Sequence, residues 1–381
     1  MKGELVFNNA RVVTPEEVFR GAVQVTGGLI QAIDRSTRTG RRTGLDLEGD
    51  YLLPGLVELH TDHLEKHFAP RPGVRWPSLA AILSHDAAVV AAGITTVFDA
   101  LAIGDTIENG SRVRDLQEMV QVVGTAQKKG FLRAEHLMHL RCEVGYPRVL
   151  ELLEGLVQDP LVKFVSLMDH TPGQRQFTRV EKLFQYYQGK YGFSNEQMER
   201  LIIERQENQK EFASKYRKEI LGICKKLHLP VASHDDTTVD HVMEAAADGI
   251  VLSEFPTTLE AAEAARSYGL SILMGAPNLV LGGSHSGNAS ALELGKQNLL
   301  DILSSDYVPS SLIQGAFLLH QELDIPLAEA IATVTVTPAR ISNLDDRGGL
   351  QVGKRADLIR VKWDPPMPIV KNVWRGGQQI F

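Results

Sequence analysis

In the string LVELHTD, His60 and Asp62 lie on a segment that reads as extended. Side chains of a strand alternate between its faces, so both project to one side near its end. A histidine nitrogen and a carboxylate at that spacing can grip one divalent cation. Short His-x-Asp strings also recur by chance, and a plain hydrogen-bonded pair is the competing reading. The string LMHLRCE puts His139, Arg141 and Glu143 on one face, and Met138, Leu140 and Cys142 on the other. In a barrel strand both faces are buried, so the polar face must point into a central site and be satisfied there. A structural Arg141–Glu143 ion pair is the alternative, but three inward polar groups on one strand are costly for stability alone. Cys142 falls on the apolar face, which favours packing over nucleophilic chemistry.

Other apolar runs end in metal-ligand residue types: His170 in SLMDH, His234 in ASHDD, Glu254 in SEFP and Asp306 in SSD. The set His60, Asp62, Glu143, His170, His234 and Asp306 can hold two divalent ions, with Glu143 bridging. Two ions roughly 3.5–4 Å apart polarise a phosphoryl oxygen and generate a hydroxide nucleophile. Asp306 can take the proton from that water while touching a metal. Zinc is the first choice, and manganese or iron suit the same ligands. Lys163, carboxylated, is a rival bridge. It lies seven residues before His170, about 23 Å earlier along a strand at ~3.3 Å per residue, and faces the other way. Glu143 is preferred.

These residues need elements that bring them to one place. Eight strand-like runs alternate with helical stretches: 55–62, 93–100, 136–144, 162–170, 229–236, 249–256, 270–277 and 301–307. That pattern predicts an α/β fold, a (β/α)8 TIM-like barrel over 54–347 with catalytic groups at the C-terminal ends of its strands. A doubly wound open sheet is the alternative, and it needs an edge that is not visible in the sequence. Residues 1–53 and 348–381 are β-rich and too short to bury separate cores, so they are expected to pair as one small β-sandwich domain. A polar insertion, about 174–228, carries a capping box of Ser194 and Gln197 that opens a long helix, either an outer helix or a lid.

Composition sets the remaining limits. The 381 residues are 43% hydrophobic and 23% charged, ample for a globular core. A formal charge of −7 disfavours nucleic acid as a partner without excluding a phosphorylated small molecule met by local arginines. Cys142 and Cys224 have no metal-binding or redox spacing, so reduced thiols are expected. The N-terminus shows no signal-peptide core and no run reaches membrane-span length, which makes the expected address cytoplasmic, away from membranes. A homo-oligomer stays open.

PGLVELH followed by Asp62, GITTV, Asp306 and the tail string GKRADLI resemble the amidohydrolase superfamily, with Asp in place of the usual second His. That Asp is similar to the renal dipeptidase arrangement, in which a Glu bridges the metals, and so again points to Glu143. Longer strings resemble a narrower family, the ribosyl-triphosphate diphosphatases of the carbon–phosphorus lyase pathway. They include LHTDHLEKHFAPRP, GITTVFDALAIGD, VSLMDHTPGQRQF, YYQGKY, MGAPN, GGSHSGN and DILSSDY, and they cover essentially the whole chain. The resemblance implies a phosphorylated ribosyl phosphonate as partner. It implies hydrolysis of α-D-ribose 1-methylphosphonate 5-triphosphate to the 5-phosphate and pyrophosphate, with metal-activated water attacking the α-phosphorus. Arg141 and Arg175 are then expected to contact phosphate oxygens bidentately. Lys66, Arg71 and His285 are weaker candidates, since solvated surface explains the first two equally well and a Gly-rich loop is commonly just a turn. Two rival functions remain: an amide or deaminating hydrolase on the same scaffold, and a non-catalytic assembly subunit.

Overall fold

The computed structural model describes residues 4–35, 44–71, 73–104, 111–175, 194–284 and 287–381. The N-terminal segment supplies β1 (Leu5–Val13), β2 (Val18–Thr26), β3 (Leu29–Asp34), β4 (Leu45–Asp46) and β5 (Tyr51–Pro54). The middle of the chain supplies β6 (Leu56–Thr61), β7 (Ile94–Ile103), β8 (Glu135–Glu143), β9 (Val162–Met168), β10 (Val231–His234), β11 (Leu252–Glu254), β12 (Ser271–Gly275) and β13 (Ile302–Ser304). The tail adds β14 (Leu358–Asp364), β15 (Met367–Arg375) and β16 (Gln378–Gln379).

Strands β6 to β13 coincide with the eight runs expected from sequence and are hydrogen-bonded in chain order as one sheet. Ladders from β6 to β7 and from β8 through β12 are parallel. Just past the end of β13, Asp306 bridges Thr61 in parallel, so first and last strands meet and the sheet is a nearly closed barrel. The open-sheet alternative fails because its two would-be edge strands bond to each other. Every residue of β6 and β7 is buried, as expected for strands covered on both faces.

The chain packs as two compact units. The first comprises Met1–Asp99, Val122–Leu137 and Met274–Phe381. Within it the terminal segments share one sheet of order β16-β15-β14-β5-β1-β2-β3, with β4 also on β1. The link is β5, parallel to β1 and antiparallel to β14. Phe7 on β1 and Trp374 on β15 meet edge to face at 4.8 Å between ring centroids. Three strand spacings of ~4.8 Å would hold those strands about 14 Å apart in a flat sheet. The sheet therefore curls on itself, sandwich fashion, around Val12, Val23, Ile30, Leu52 and Leu358. In the tail string GKRADLI, Arg355 pairs with Asp357 and with Glu135 at the start of β8. Arg347 joins the same Glu135 at 2.8 Å and Thr96 of β7 at 3.0 Å. These contacts sit at the N-terminal ends of the strands, the face of a barrel that serves stability.

The second unit comprises Ala100–Gln121 and Met138–Leu273. It contains the long helix Asn195–Leu227, and the expected capping box is present: Gln197 N–H donates to Ser194 Oγ, and Ser194 N–H donates to Gln197 Oε1. The helix is fastened by Arg217 to Asp248 at 2.7 Å and by Tyr216 Oη to the Pro147 carbonyl at 3.0 Å. Its Gln206 and Gln209 reach Pro172 and Asp169, in the loop after β9. The string YYQGKY lies outside the described residues. Burial pushes the Cys142 thiol well up and that of Cys224 up to about 12, consistent with packing roles. Among the described residues no helix is long and apolar enough to cross a membrane.

Candidate active site

In the first unit, His60, Asp62 and Asp306 are brought together by the main chain. Asp306 N–H donates to the His60 carbonyl at 3.1 Å, and Asp62 N–H donates to the Asp306 carbonyl at 3.1 Å. Thr61 Oγ1 donates to that same carbonyl at 2.6 Å. Below them Glu58 clamps the two strands: Oε1 accepts from His60 N–H at 2.7 Å and Oε2 from Ser305 N–H at 2.6 Å. Burial raises the Glu58 carboxyl to about 8, while the amides of Ser305 and His60 pull it back. Strand parity is as expected, with Glu58 and His60 fully inside and Asp62 half-buried at the strand's end.

In the second unit, β8, β9 and β10 assemble Glu143, His170 and His234. Glu143 Oε1 accepts from His170 N–H at 2.9 Å, and Oε2 lies 2.7 Å from His170 Nδ1. Asp235 Oδ2 stands 3.0 Å from His234 Nδ1 and 3.5 Å from His170 Nε2. Burial opposes ionisation of Glu143, but His170 outweighs it and holds the carboxylate below its usual range. By the same contact, and with Asp235 near, His170 rises to about 9 against its own burial. Asp235 is pushed down in turn by His234 and His170. Gly104, at φ +121°, gives this carboxylate its room, since a Cβ there would lie 2.7 Å from Glu143 Cβ. A cavity of about 150 Å³ beside Glu143 is lined by Tyr146, Arg148, Thr171 and, from the long helix, Glu204, Arg205 and Asn208.

The backbone turns sharply where these strands end. Asp235, Phe255 and Asp306 all adopt left-handed φ values, 56°, 54° and 51°. Aspartate tolerates that region, whereas phenylalanine rarely visits it, and such conformations cluster at functional sites. The donors themselves suit divalent ions. They are imidazole nitrogens and carboxylate oxygens, and Asp62 Oδ1 is buried with no hydrogen bond among the described residues.

The arginines divide. Arg141 is 9% exposed, its Nε has no hydrogen-bond partner among the described residues, and Nη2 lies 3.4 Å from His234 Nε2. Arg175 is already engaged, donating to the His234 carbonyl at 2.9 Å and to Asp236 Oδ1 at 2.5 Å. Lys66 is exposed and donates to the Tyr307 carbonyl at 3.1 Å, with the Tyr307 ring beneath it. Arg71 is exposed, and His285 lies outside the described residues. Lys163, the rival bridge, is exposed at the start of β9.

Sequence reasoning missed Glu58 and Asp235. Glu58 carries the parity of His60, which was the available signal. Asp235 follows His234 directly, and only its left-handed backbone places its carboxylate between two histidines. His139 is buried 3.9 Å from Glu254 and edge-on to Phe164.

The profile of the amidohydrolase family matches residues 51–380. The chain is 47% identical over 379 residues to the alpha-D-ribose 1-methylphosphonate 5-triphosphate diphosphatase of Escherichia coli (strain K12), covering 99% of this chain and 100% of that one. Among solved structures, the N-acetylglucosamine-6-phosphate deacetylase of Pasteurella multocida superposes with TM-score 0.63 at 14% identity, covering 99% of each chain. The 5-methylcytosine deaminase of Klebsiella pneumoniae does so with TM-score 0.64 at 13% identity, covering 99% of this chain and 98% of that one. Those two likenesses are of fold alone. The sequence match over nearly the whole length is of kind as well, and the chain belongs to the amidohydrolase family, in the branch that contains the E. coli diphosphatase.

Proposed function

We propose that this protein hydrolyses α-D-ribose 1-methylphosphonate 5-triphosphate to the 5-phosphate and pyrophosphate, with two divalent ions held by His60, Asp62, Glu143, His170, His234 and Asp306. The observation that carries the reading is Arg141, a buried guanidinium beside His234 for which no carboxylate partner is found among the described residues. A buried cation without a counter-ion is expensive unless a ligand supplies the anion, and a phosphoryl group does so bidentately. The 47% identity to a named triphosphate diphosphatase supports the choice of anion.

When bound, the ions supply Lewis acidity and lower the pKa of the attacking water. The chain supplies the rest. Asp306, fixed by main-chain bonds to His60 and Asp62, receives the water's proton. Arg141 orients the α-phosphoryl oxygens for attack and meets charge as the pyrophosphate leaves. Asp235 orients the rings of His170 and His234. Arg175 holds the β10 end rigid through Asp236, so its part is positioning. Lys66, Arg71 and His285 are left as outer contacts for the substrate's phosphates.

The test incubates metal-loaded protein with the triphosphate and follows phosphorus species by NMR. One pyrophosphate per 5-phosphate is expected. Three orthophosphates, or no turnover with metal bound, would overturn the reaction; turnover of amide substrates in its place would favour the amide-hydrolase reading. His60→Ala should lose metal and activity together, and a fully active variant would sink the centre.

A further inference from the structure

The chain carries a second group of imidazoles that the proposed reaction does not use. His63 and His67 stand four residues apart on the short helix His63–Phe68, hence on one face, and His85 reaches them from the helix Ser78–Ala91. One ring nitrogen from each lies within 4.8 Å of the others. His63 Nδ1 and His85 Nδ1 are 3.1 Å apart, and His67 Nε2 is buried with no hydrogen-bond partner among the described residues. Behind them His85 Nε2 sits 2.7 Å from Asp99 Oδ1, whose other oxygen is 2.8 Å from His136 Nδ1. His136 is backed by Asp86, which also accepts the amides of Arg133 and Ala134.

We infer that His63, His67 and His85 form a further transition-metal site, of the zinc class, distinct from the proposed catalytic pair. Asp99 Oδ1 accepts a hydrogen bond from His85 Nε2–H, which leaves Nδ1 as a lone pair turned toward His63 and His67. This is the carboxylate–histidine arrangement that orients metal-binding imidazoles. Zinc–nitrogen bonds of ~2.0–2.1 Å put the nitrogens of a tetrahedral site roughly 3.3 Å apart. The His63–His85 pair already stands near that separation, and the half-buried ring of His67 closes the remainder by side-chain rotation. An imidazole–imidazole hydrogen bond explains His63 and His85 but leaves His67 Nε2 buried without a partner among the described residues. Three protein ligands leave the fourth position for water. An ion here ties the helix that begins beside Asp62 to the helix Ser78–Ala91, and so steadies the chain on which Asp62 is carried.

The experiment measures metal by mass spectrometry after loading the full chain with Zn(II) and removing excess by gel filtration. Wild type should hold one more zinc than His67→Ala, and a His60→Ala, His170→Ala double variant should keep that zinc while losing the catalytic ions. Asp99→Asn should weaken the zinc affinity roughly 10–100-fold. Equal zinc content in wild type and folded His67→Ala would overturn the site. If His67→Ala fails to fold, the double variant titrated with Co(II) decides alone. The intense visible bands of a tetrahedral site should appear, and their absence overturns the proposal. Both readouts are of bound metal and not of turnover, so failure of the proposed function leaves them unaffected.

Discussion

Gly104 and Glu143 approach so closely that a methyl group on Gly104 would lie 2.7 Å from the Glu143 Cβ. The φ of +121° at Gly104 is one that residues with a Cβ rarely adopt. Gly104→Ala should therefore displace Glu143 from His170. Displacements of about 1 Å cost on the order of 100-fold in rate. Activity should fall by that order with metal occupancy reduced, as read by steady-state kinetics beside metal analysis. An alanine variant with unchanged kinetics would show that the Glu143 position is immaterial.

Asp306 is held by backbone bonds to both neighbours of Thr61, so its side chain can be changed with little disturbance of the barrel seam. Asp306→Asn should lower kcat by roughly 10²–10⁴-fold, the range of general-base loss, while the melting temperature shifts by only a few degrees. Loss of folding in parallel with activity would point to a structural carboxylate.

Arg141 is predicted to set activity against stability. Removing a buried cation that has no carboxylate partner among the described residues relieves a desolvation penalty, so Arg141→Met should melt at or above the wild-type temperature. The same change removes the phosphate contact and should reduce kcat/KM for the triphosphate by about 100-fold or more. Thermal denaturation and kinetics on one preparation check both halves; a destabilised but active variant contradicts the assignment.

Acid should loosen the tail. Burial works against Glu135, but Arg355 and Arg347 outweigh it and hold its carboxyl below the ordinary value of 4.5. The folded state thus releases this proton more readily than the unfolded chain. The pair's contribution is complete above pH 4.5 and is lost as pH falls through the lower folded value. Glu135→Gln should cost about 2 kcal/mol at neutral pH, less than for a fully buried pair because Glu135 is partly exposed. Its stability curve should converge with that of wild type in acid. Two curves that stay parallel down to low pH would rule out the linkage.

Much was legible in the sequence because it depends on local periodicity. Alternation along LVELHTD and LMHLRCE put His60 and Glu143 inside, and eight apolar runs with Gly and Pro breaks marked the strands of the barrel. The Ser194–Gln197 box is legible for the same reason, since its reciprocal bonds span three residues. What only the tertiary structure decided involves groups far apart in the chain or a backbone turn that sequence does not encode. Glu58 meets the Ser305 amide because the first and last strands close on each other. Asp235 turns between two histidines through a left-handed residue. His85 meets His63 and His67 because two helices pack, and Asp99 meets the other nitrogen of that ring from a neighbouring strand. Period two tells which face a side chain takes; which partner waits there is settled by barrel closure and the paths of the loops.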